Sequence, residues 1–438
     1  MRNLLTPLLT EADPRDSREG SIDPLGLYAI ADSLGVKLVP GVRERQSHPR
    51  FLTAIAVGQV IGSHFSEDIV AKDGVSEPWQ VYEWYLVEGL VRTFTDSNEI
   101  QGLPGRDKAK RAINDRMHLS RSRYLKTPSV FGFHGVYRIL AHDLDIATVE
   151  GLGENGYRLV TTWEKEQGLK GFCFSENGST HPRRYQLYKA IEDGLSKGTV
   201  DRTFGWDGWT FFKDHLSHKK CGKQEAQMIL DALISGSDFR KQVIDFLISS
   251  EGQNVWRNSE SEREFHRDLI KNAAQELHAL LDAILAYERF ARLLLDAFQE
   301  CLMLMTQKRT KISPRELAKS DCVKLAVQKL PDLFPEVSDK LLVINETTRY
   351  EEGFSRFSIR MKPEEWVETL LTHHMEIQKN KPPHGKNPWF EQLDDGSVII
   401  RTGYFRDIGG AKDESYVHGY RTFPLWSFML DLGKVAYE

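Results

Sequence analysis

The sequence predicts a mainly α-helical protein of several domains, on the basis of three observations. With 438 residues, the chain is longer than one hydrophobic core usually organises. Hydrophobic residues make up 40% of it and charged residues 28%, which are the proportions of an ordinary globular protein. Residues 262–308 contain neither glycine nor proline, and their apolar side chains recur at steps of three and four, as on one face of a helix. We therefore expect a mainly α, multidomain fold with a smaller α+β domain at its C-terminal end.

The composition also disfavours several classes of protein. No window of about 18 apolar residues is present, so we expect no transmembrane helix and no contact with a membrane. The segment 1–16, MRNLLTPLLTEADPRD, lacks the apolar run and the cleavage site of a signal peptide. Four scattered cysteines form no CxxC pair, which argues against a disulfide framework or a Cys-rich zinc site. We expect a cytoplasmic protein with no cofactor and no metal.

Residues 1–100 are predicted to form an N-terminal helical domain. Ser21 or Asp23 can cap a first helix, and Pro49 stands near the start of a second. A third helix is predicted over 76–94, SEPWQVYEWYLVEGLVRTF. Its aromatic residues recur at helical spacing, which favours a place in the core over a platform for stacking bases.

The most unusual stretch is 106–126, RDKAKRAINDRMHLSRSRYLK. It holds eight Lys or Arg against Asp107 and Asp115, a net charge of +6, in a chain whose net charge is −5. Because the whole surface does not attract nucleic acid, any such binding must be local. A solvated helix face and a contact with an acidic protein are alternative explanations. The eight cations are candidate nucleic-acid contacts: Arg106, Lys108, Lys110, Arg111, Arg116, Arg121, Arg123 and Lys126.

The pattern that follows predicts a winged-helix-like DNA-binding module over 101–170. Residues 129–142 are predicted to form a second helix, followed by the strands IATVEG and YRLVTT around an Asn-Gly turn signal. In such modules one helix enters the major groove of DNA while the hairpin lies over the neighbouring backbone. Arg138 on the second helix and Arg158 on the hairpin therefore join the candidate nucleic-acid contacts.

Residues 171–335 are predicted to form a helical domain with a long helix over about 262–308. Such a helix is either one continuous spine or two helices without an obvious break. The last region, 336–438, has a mixed pattern and predicts the small α+β domain. The segments DKLLVINE, GFSRFSIRM and SVIIRTGYF favour strands, and FPLWSFMLDLGKV favours a closing helix.

Two other clusters hold side chains capable of chemistry. The segment HLSHKKC spaces two histidines and a cysteine three apart, but no fourth zinc ligand is near them. In the C-terminal region, His384 and Asp394 make a nuclease or phosphodiesterase an alternative function. That chemistry needs two His-Lys half-sites, or clustered carboxylates followed by a strand-borne Glu and Lys, and neither pattern is complete. The acid pair Asp394-Asp395 fits a turn better.

Three segments carry a resemblance to known proteins: SIDPLGLYAIADSLGVKLVPGVRERQSHPRFLTA, SVFGFHGVYRILAHDLDI and HHMEIQKNKPPHGKNPWFE. In them the chain resembles a group of bacterial accessory proteins encoded in phage-defence islands, beside helicases, nucleases or other large motor subunits. The resemblance implies an accessory or DNA-sensing subunit of a multi-protein complex. It transfers no functional residue.

These observations together predict a non-enzymatic subunit of an anti-phage defence complex that binds double-stranded DNA. We expect partner proteins, such as a helicase, an ATPase or a nuclease, to dock on its helical regions, and self-association into a homo-oligomer is a further expectation. The main alternative is a pure interaction scaffold, in which the basic helix meets an acidic protein surface.

Overall fold

A computed structural model describes residues 23–66, 68–94, 97–174, 179–382 and 384–436. The described chain is mainly helical, as predicted, and its strands are confined to two short antiparallel pairs. It forms two compact units. The larger unit consists of residues 35–278 and 419–436, and the smaller unit of residues 23–34 and 279–418. The four-domain division stays a prediction.

Helices are numbered along the chain, beginning with α1 at Tyr28–Leu38. The larger unit contains most of them, together with the strands β1 Ala147–Thr148 and β2 Gly151–Leu152. Its helices are α2 Phe51–Gly62, α3 Pro78–Thr93, α4 Arg106–Asn114, α5 Pro128–Phe131, α6 Phe133–Asp143, α7 Glu154–Glu166, α8 Pro182–Lys197, α9 Gly208–Leu216, α10 Lys223–Ser235, α11 Asp238–Ile248, α12 Ser250–Asn258, α13 Glu262–Asn272 and, near the end of the chain, α19 Phe423–Asp431.

Helix α3 lies at the centre of the larger unit. Every residue from Val81 to Val91 is buried, and the helix packs against α2, α4, α6, α8 and α9. Tyr82, Trp84 and Tyr85 are buried, which confirms the predicted core position for these three, whereas Trp79 at the start of the helix is half-buried. Two of the buried residues are the glutamates Glu83 and Glu88. A buried carboxylate requires hydrogen-bond donors, and the donors to these two come largely from the basic stretch.

The smaller unit is built around α14, Gln275–Lys308, most of whose residues belong to it. The side chains of Tyr287, Phe290, Leu294 and Phe298 are fully buried on this helix. The remaining elements are α15 Pro314–Leu317, α16 Asp321–Val343, α17 Thr347–Phe354, α18 Pro363–Lys379, β3 Phe390–Gln392 and β4 Val398–Ile400. The two strands pair antiparallel, with Phe390 opposite Ile400.

The predicted helix over 262–308 is two helices. Helix α13 ends at Asn272, Ala273 is extended with a ψ of 143°, and α14 begins at Gln275. The N–H of Ala274 donates to the side-chain oxygen of Gln242 at 3.0 Å, so the break is held by a tertiary hydrogen bond. Neither glycine nor proline marks it, and the apolar spacing alone does not locate it.

Two of the three strands predicted in the C-terminal region are wrong. Residues 339–343 continue α16, and residues 353–358 lie in the end of α17 and the 3₁₀ turn that follows. Leu341 is buried one helical turn after Val337, so the apolar residues there follow the helical period and not an alternation. The third prediction is partly right, because β4 lies within 397–405, and the closing helix is confirmed as α19.

Adjacent histidines on α18 hold the segment that precedes α1. His373 bonds the carbonyl oxygen of Leu25 through Nε2 at 2.8 Å, and His374 bonds that of Pro24 through Nδ1 at 2.9 Å. The other nitrogen of His374 accepts the Trp389 N–H at 3.1 Å. His374 is therefore neutral, with its proton on Nδ1, and burial lowers its pKa to about 4.

The smaller unit is expected to lose stability as the pH falls from 6.5 to 4. In this window the unfolded chain takes up a proton at residue 374 that the folded protein does not, so the free energy of unfolding decreases by about 1.4 kcal/mol per pH unit, or about 3 kcal/mol in all. Denaturant unfolding at several pH values measures this loss. In a His374→Gln variant the free energy of unfolding should depend less on pH. An equal pH dependence in the two proteins would contradict a neutral His374 in the folded protein.

Candidate nucleic-acid interface

Helix α4 begins the basic stretch, and Gly105 sets its start. Gly105 has a φ of 80°, a left-handed conformation that favours glycine, and a Cβ there would lie 2.5 Å from Tyr124. Ala109 and Ala112 are buried where α4 packs on α3. The helix consequently presents its long cationic side chains away from this contact. Lys108 and Arg111 are exposed, whereas Arg106, which pairs with Asp107 at 2.9 Å, and Lys110 are half-buried.

The C-terminal end of α4 places Arg116 in a left-handed conformation, with a φ of 55°. The N–H of Met117 donates to Ala112 O at 2.8 Å, and that of Arg116 to Ile113 O at 3.0 Å. This is the Schellman arrangement, in which the residue at the position of Arg116 is usually glycine. A side chain there costs about 1 kcal/mol, so an exposed arginine at this point is a candidate for a functional role.

Arg116→Gly is expected to raise the free energy of unfolding by about 0.5 kcal/mol, because glycine relieves the left-handed strain at a smaller cost in chain entropy. Arg116→Ala removes the same guanidinium but keeps the strain. Denaturant unfolding of the two variants therefore separates the backbone effect from the loss of charge. Equal stability of the two variants would show that the strain is absent.

Glu88 of α3 holds the middle of the basic stretch. Its carboxylate is fully buried and accepts both Nε and Nη2 of Arg92, at 2.8 and 2.7 Å. The ring of His118 contacts the same carboxylate through Nδ1 at 2.6 Å, and the N–H of Leu119 donates to it at 2.8 Å. One buried side chain thus fixes the backbone immediately after Arg116.

Glu83, five residues earlier on α3, holds the end of the stretch. It accepts the hydroxyl of Tyr124 at 2.5 Å and the N–H groups of Phe133 and His134, the first residues of α6, at 2.9 and 2.8 Å. The start of a helix favours a negative charge through its free N–H groups. Burial nevertheless dominates and raises the pKa of Glu83 to about 7.

Arg121 and Arg123 lie between these two anchors. Both are exposed on a 3₁₀ turn, and within the described chain neither arginine forms an ion pair. Asp73 lies within electrostatic range of Arg121. Burial acts to raise the pKa of Asp73. Hydrogen bonds from Ser76 and Val75, and then the charge of Arg121, nevertheless hold this pKa below its usual value. Lys126, just after the Tyr124 anchor, is also exposed.

The hairpin predicted after α6 is much shorter than expected. Strands β1 and β2 pair over two residues each, and the predicted second strand, 157–162, is part of helix α7. Leu159, Val160 and Trp163 are buried on α7, a spacing of one, three and four that suits a helix. The prediction was wrong because it gave more weight to the β-branched residues Val160, Thr161 and Thr162 than to this helical spacing.

The charge of the short hairpin also differs from the expected one. Its tip, Val149, is 97% exposed, and the exposed side chains around it are the acids Asp145, Glu150 and Glu154. Arg158 is exposed on α7, beside Met228 and Asp231 in a shallow pocket, and not on the hairpin. The hairpin is therefore unsuited to contact phosphates.

Arg138 is exposed on α6, as predicted. It lies near the buried ring of His134, whose pKa falls to about 4, first through burial and then through the charge of Arg138. Eight of the ten candidate cations belong to the sequence stretch 106–126, and the structure places the other two on the helices α6 and α7.

A segment that the sequence did not indicate lies beside the basic stretch. Thr199 forms an antiparallel bridge with Ser120, and the N–H of Val200 donates to Leu119 O at 3.0 Å. The ring of Phe204, which is 56% exposed, lies 5.8 Å from that of His118 in a stacked arrangement. Residues 199–209 have no periodic pattern and no charge run, so only their density of aromatic side chains could have indicated them.

One residue of the C-terminal candidate site, Asp395, has a structural role. Asp395 pairs with Lys311 at 2.6 Å and accepts the N–H of Ser397, so this member of the acid pair stabilises the turn between β3 and β4. The lysine and then the Ser397 hydrogen bonds lower the pKa of Asp395.

Among the described residues, no group of three His, Cys, Asp or Glu side chains is arranged to hold a metal ion. None of the described helices is long and apolar enough to cross a membrane.

Comparisons with protein-family models, with curated proteins and with solved structures found no match for this chain.

Proposed function

We propose that this protein binds nucleic acid, in the first instance double-stranded DNA, and catalyses no reaction. The proposed contact surface, here called the basic surface, comprises the exposed cations of 106–126. The observation that carries the proposal is that Arg111, Arg116, Arg121 and Arg123 are exposed and form no ion pair within the described chain.

The anchors of the basic surface explain why it suits an extended polyanion. Glu88 and Glu83 hold the chain on either side of Arg121 and Arg123, so the backbone that carries these arginines starts from a defined position and less backbone entropy is lost on binding. Arginine bonds phosphate oxygens in bidentate fashion. Because phosphates are common to all sequences, we expect weak sequence preference and a strong dependence on salt.

Only one part of the predicted winged-helix-like module belongs to the proposed contact. Helix α6, with Arg138 exposed on it, is the candidate for a contact in a groove, and the hairpin 147–152 is left out because its exposed side chains are acidic. Arg158 lies outside the basic surface, beside Asp231.

The resemblance to defence-island proteins supports a setting for this activity. In that setting the protein would be the DNA-binding subunit of a complex, and other subunits would have the motor or nuclease activity. The smaller unit exposes Leu342, Val343 and Ile359, apolar side chains that suit a protein partner. The same exposed side chains favour the alternative function, a scaffold whose basic surface meets an acidic protein.

The experiment that tests the proposal compares two variants with the same loss of charge. In the first, Arg111, Arg116, Arg121 and Arg123 are changed to alanine. In the control, four exposed cations of the smaller unit are changed to alanine: Arg315, Lys319, Lys324 and Lys329. Fluorescence anisotropy with a duplex of about 30 bp should show an affinity about 100-fold lower for the first variant and nearly unchanged for the control. Equal losses, or no binding by the unmodified protein, would refute the proposal.

A further inference from the structure

We infer that Phe204 is a stacking site for an unpaired base of the bound nucleic acid, so that the protein prefers DNA with a single-stranded gap or end over an intact duplex. The inference rests on the proposed function, because the phosphates next to that base would contact the basic surface. It adds a substrate class that the cations alone do not specify.

Phe204 is unusual among the aromatic residues around α3, most of which are buried. Its ring is 56% exposed, yet it is positioned by its neighbours. The guanidinium of Arg92 lies 4.3 Å from the ring centroid, and this guanidinium is itself fixed by the buried carboxylate of Glu88. An exposed aromatic ring over a fixed cation is already ordered before a ligand arrives.

The backbone around Phe204 is tied to the basic surface at two points. The bridge between Thr199 and Ser120 places the segment beside Arg121, the next residue along the chain. The ring of His118, two residues after Arg116, stacks on Phe204 at 5.8 Å. Arg116 and Arg121 therefore lie two and three residues along the chain from His118, the residue of the basic stretch whose ring contacts Phe204.

The acidic residues of this segment are neutralised by their neighbours. Asp201 pairs with Lys197 at 2.8 Å, and Asp207 pairs with Arg183 at 3.2 Å. The approach of a phosphate to the ring is therefore not opposed by an unpaired acid of this segment.

An aromatic ring beside unpaired cations is the combination that binds single strands. Base–aromatic stacking contributes about 1–3 kcal/mol per base and tolerates any sequence, while the cations follow the backbone. The bases of an intact duplex are already stacked on each other and cannot reach such a ring unless one is displaced. A gap or an end supplies the free base without that cost.

The test uses two DNA ligands and three variants. The ligands are an intact duplex of about 30 bp and the same duplex with a central single-stranded gap of about five nucleotides, containing 2-aminopurine, whose fluorescence falls on stacking. The variants are Phe204→Ala, Phe204→Trp, which keeps an aromatic ring, and the control Phe423→Ala, a phenylalanine of α19 that is 59% exposed.

We expect the unmodified protein to bind the gapped duplex about tenfold more tightly than the intact one, with quenching of 2-aminopurine. Phe204→Ala should abolish both the preference and the quenching while leaving affinity for the intact duplex within about twofold. Phe204→Trp and Phe423→Ala should retain them. Binding of both ligands with no effect of Phe204→Ala would overturn the stacking site and leave the proposed function standing. If the unmodified protein binds neither the intact nor the gapped duplex, both the stacking site and the proposed function are overturned.

Discussion

Glu88→Ala is expected to lower the free energy of unfolding by about 3–5 kcal/mol, because it removes one partner of a buried ion pair. The change leaves the guanidinium of Arg92 without its carboxylate and the N–H of Leu119 without its acceptor. Arg92 is only 8% exposed, so water cannot fully replace the lost bonds. Denaturant unfolding at neutral pH measures the loss. A loss below about 1 kcal/mol would mean that the carboxylate contributes no more than an exposed pair does.

The same variant is expected to weaken nucleic-acid binding even where the protein remains folded. Glu88 fixes the backbone at Leu119 and the cation beneath Phe204. Without it, the backbone between Arg116 and Arg121 must be ordered on binding, at about 1–2 kcal/mol for each residue that is fixed. Affinity should therefore fall by about tenfold, measured under conditions where circular dichroism shows a folded protein.

Arg50→Ala is expected to destabilise the protein by a similar amount, about 3–5 kcal/mol. Arg50 donates to both carboxylate oxygens of Glu225, at 3.0 and 3.2 Å, and to the carbonyl oxygens of His215 and Ser217. The side chains of Arg50 and Glu225 are 1% and 0% exposed. Without the guanidinium, Glu225 retains the Thr53 hydroxyl and one backbone N–H as donors but loses its counter-charge.

A double-mutant cycle with Glu225→Ala isolates this interaction. If the pair is the source of the effect, removing both side chains should cost clearly less than the sum of the two single changes. Arg50→Ala also serves as the control for Glu88→Ala. Both variants break a buried ion pair of the larger unit, and only the Glu88 variant is expected to change the affinity for DNA. A matching fall in affinity for Arg50→Ala would mean that general destabilisation accounts for the Glu88 result.

The amino-acid pattern predicted the framework of the larger unit well. Apolar and aromatic residues at helical spacing located α3 and its buried face, and the charge count located 106–126. Local signals failed where tertiary contacts decide the conformation. Residues 157–162 are rich in β-branched side chains, yet they form part of α7 because Leu159, Val160 and Trp163 are buried together. The break at 273–274 depends on Gln242, which is distant in sequence.

The contacts that shape the candidate site were also beyond sequence analysis. Glutamate is almost never fully buried without a partner, so a helix containing Glu83 and Glu88 gives no indication that both point inward. Arg92 is four residues from Glu88, but the partners from the basic stretch, Tyr124 and Leu119, lie at least 30 residues away along the chain. Phe204 approaches the basic surface only through the bridge between Thr199 and Ser120. Such pairings follow from the fold and not from any local pattern.

The central claim is that the basic surface contacts phosphates, and the salt dependence of duplex binding tests it most directly. Each phosphate contact contributes a slope of about −0.9 to a plot of log K against log salt concentration. The variant that lacks Arg111, Arg116, Arg121 and Arg123 should therefore have a slope shallower by roughly 3–4 than the unmodified protein. Parallel plots for the two proteins would contradict the claim, since the four guanidiniums would then release no counterions.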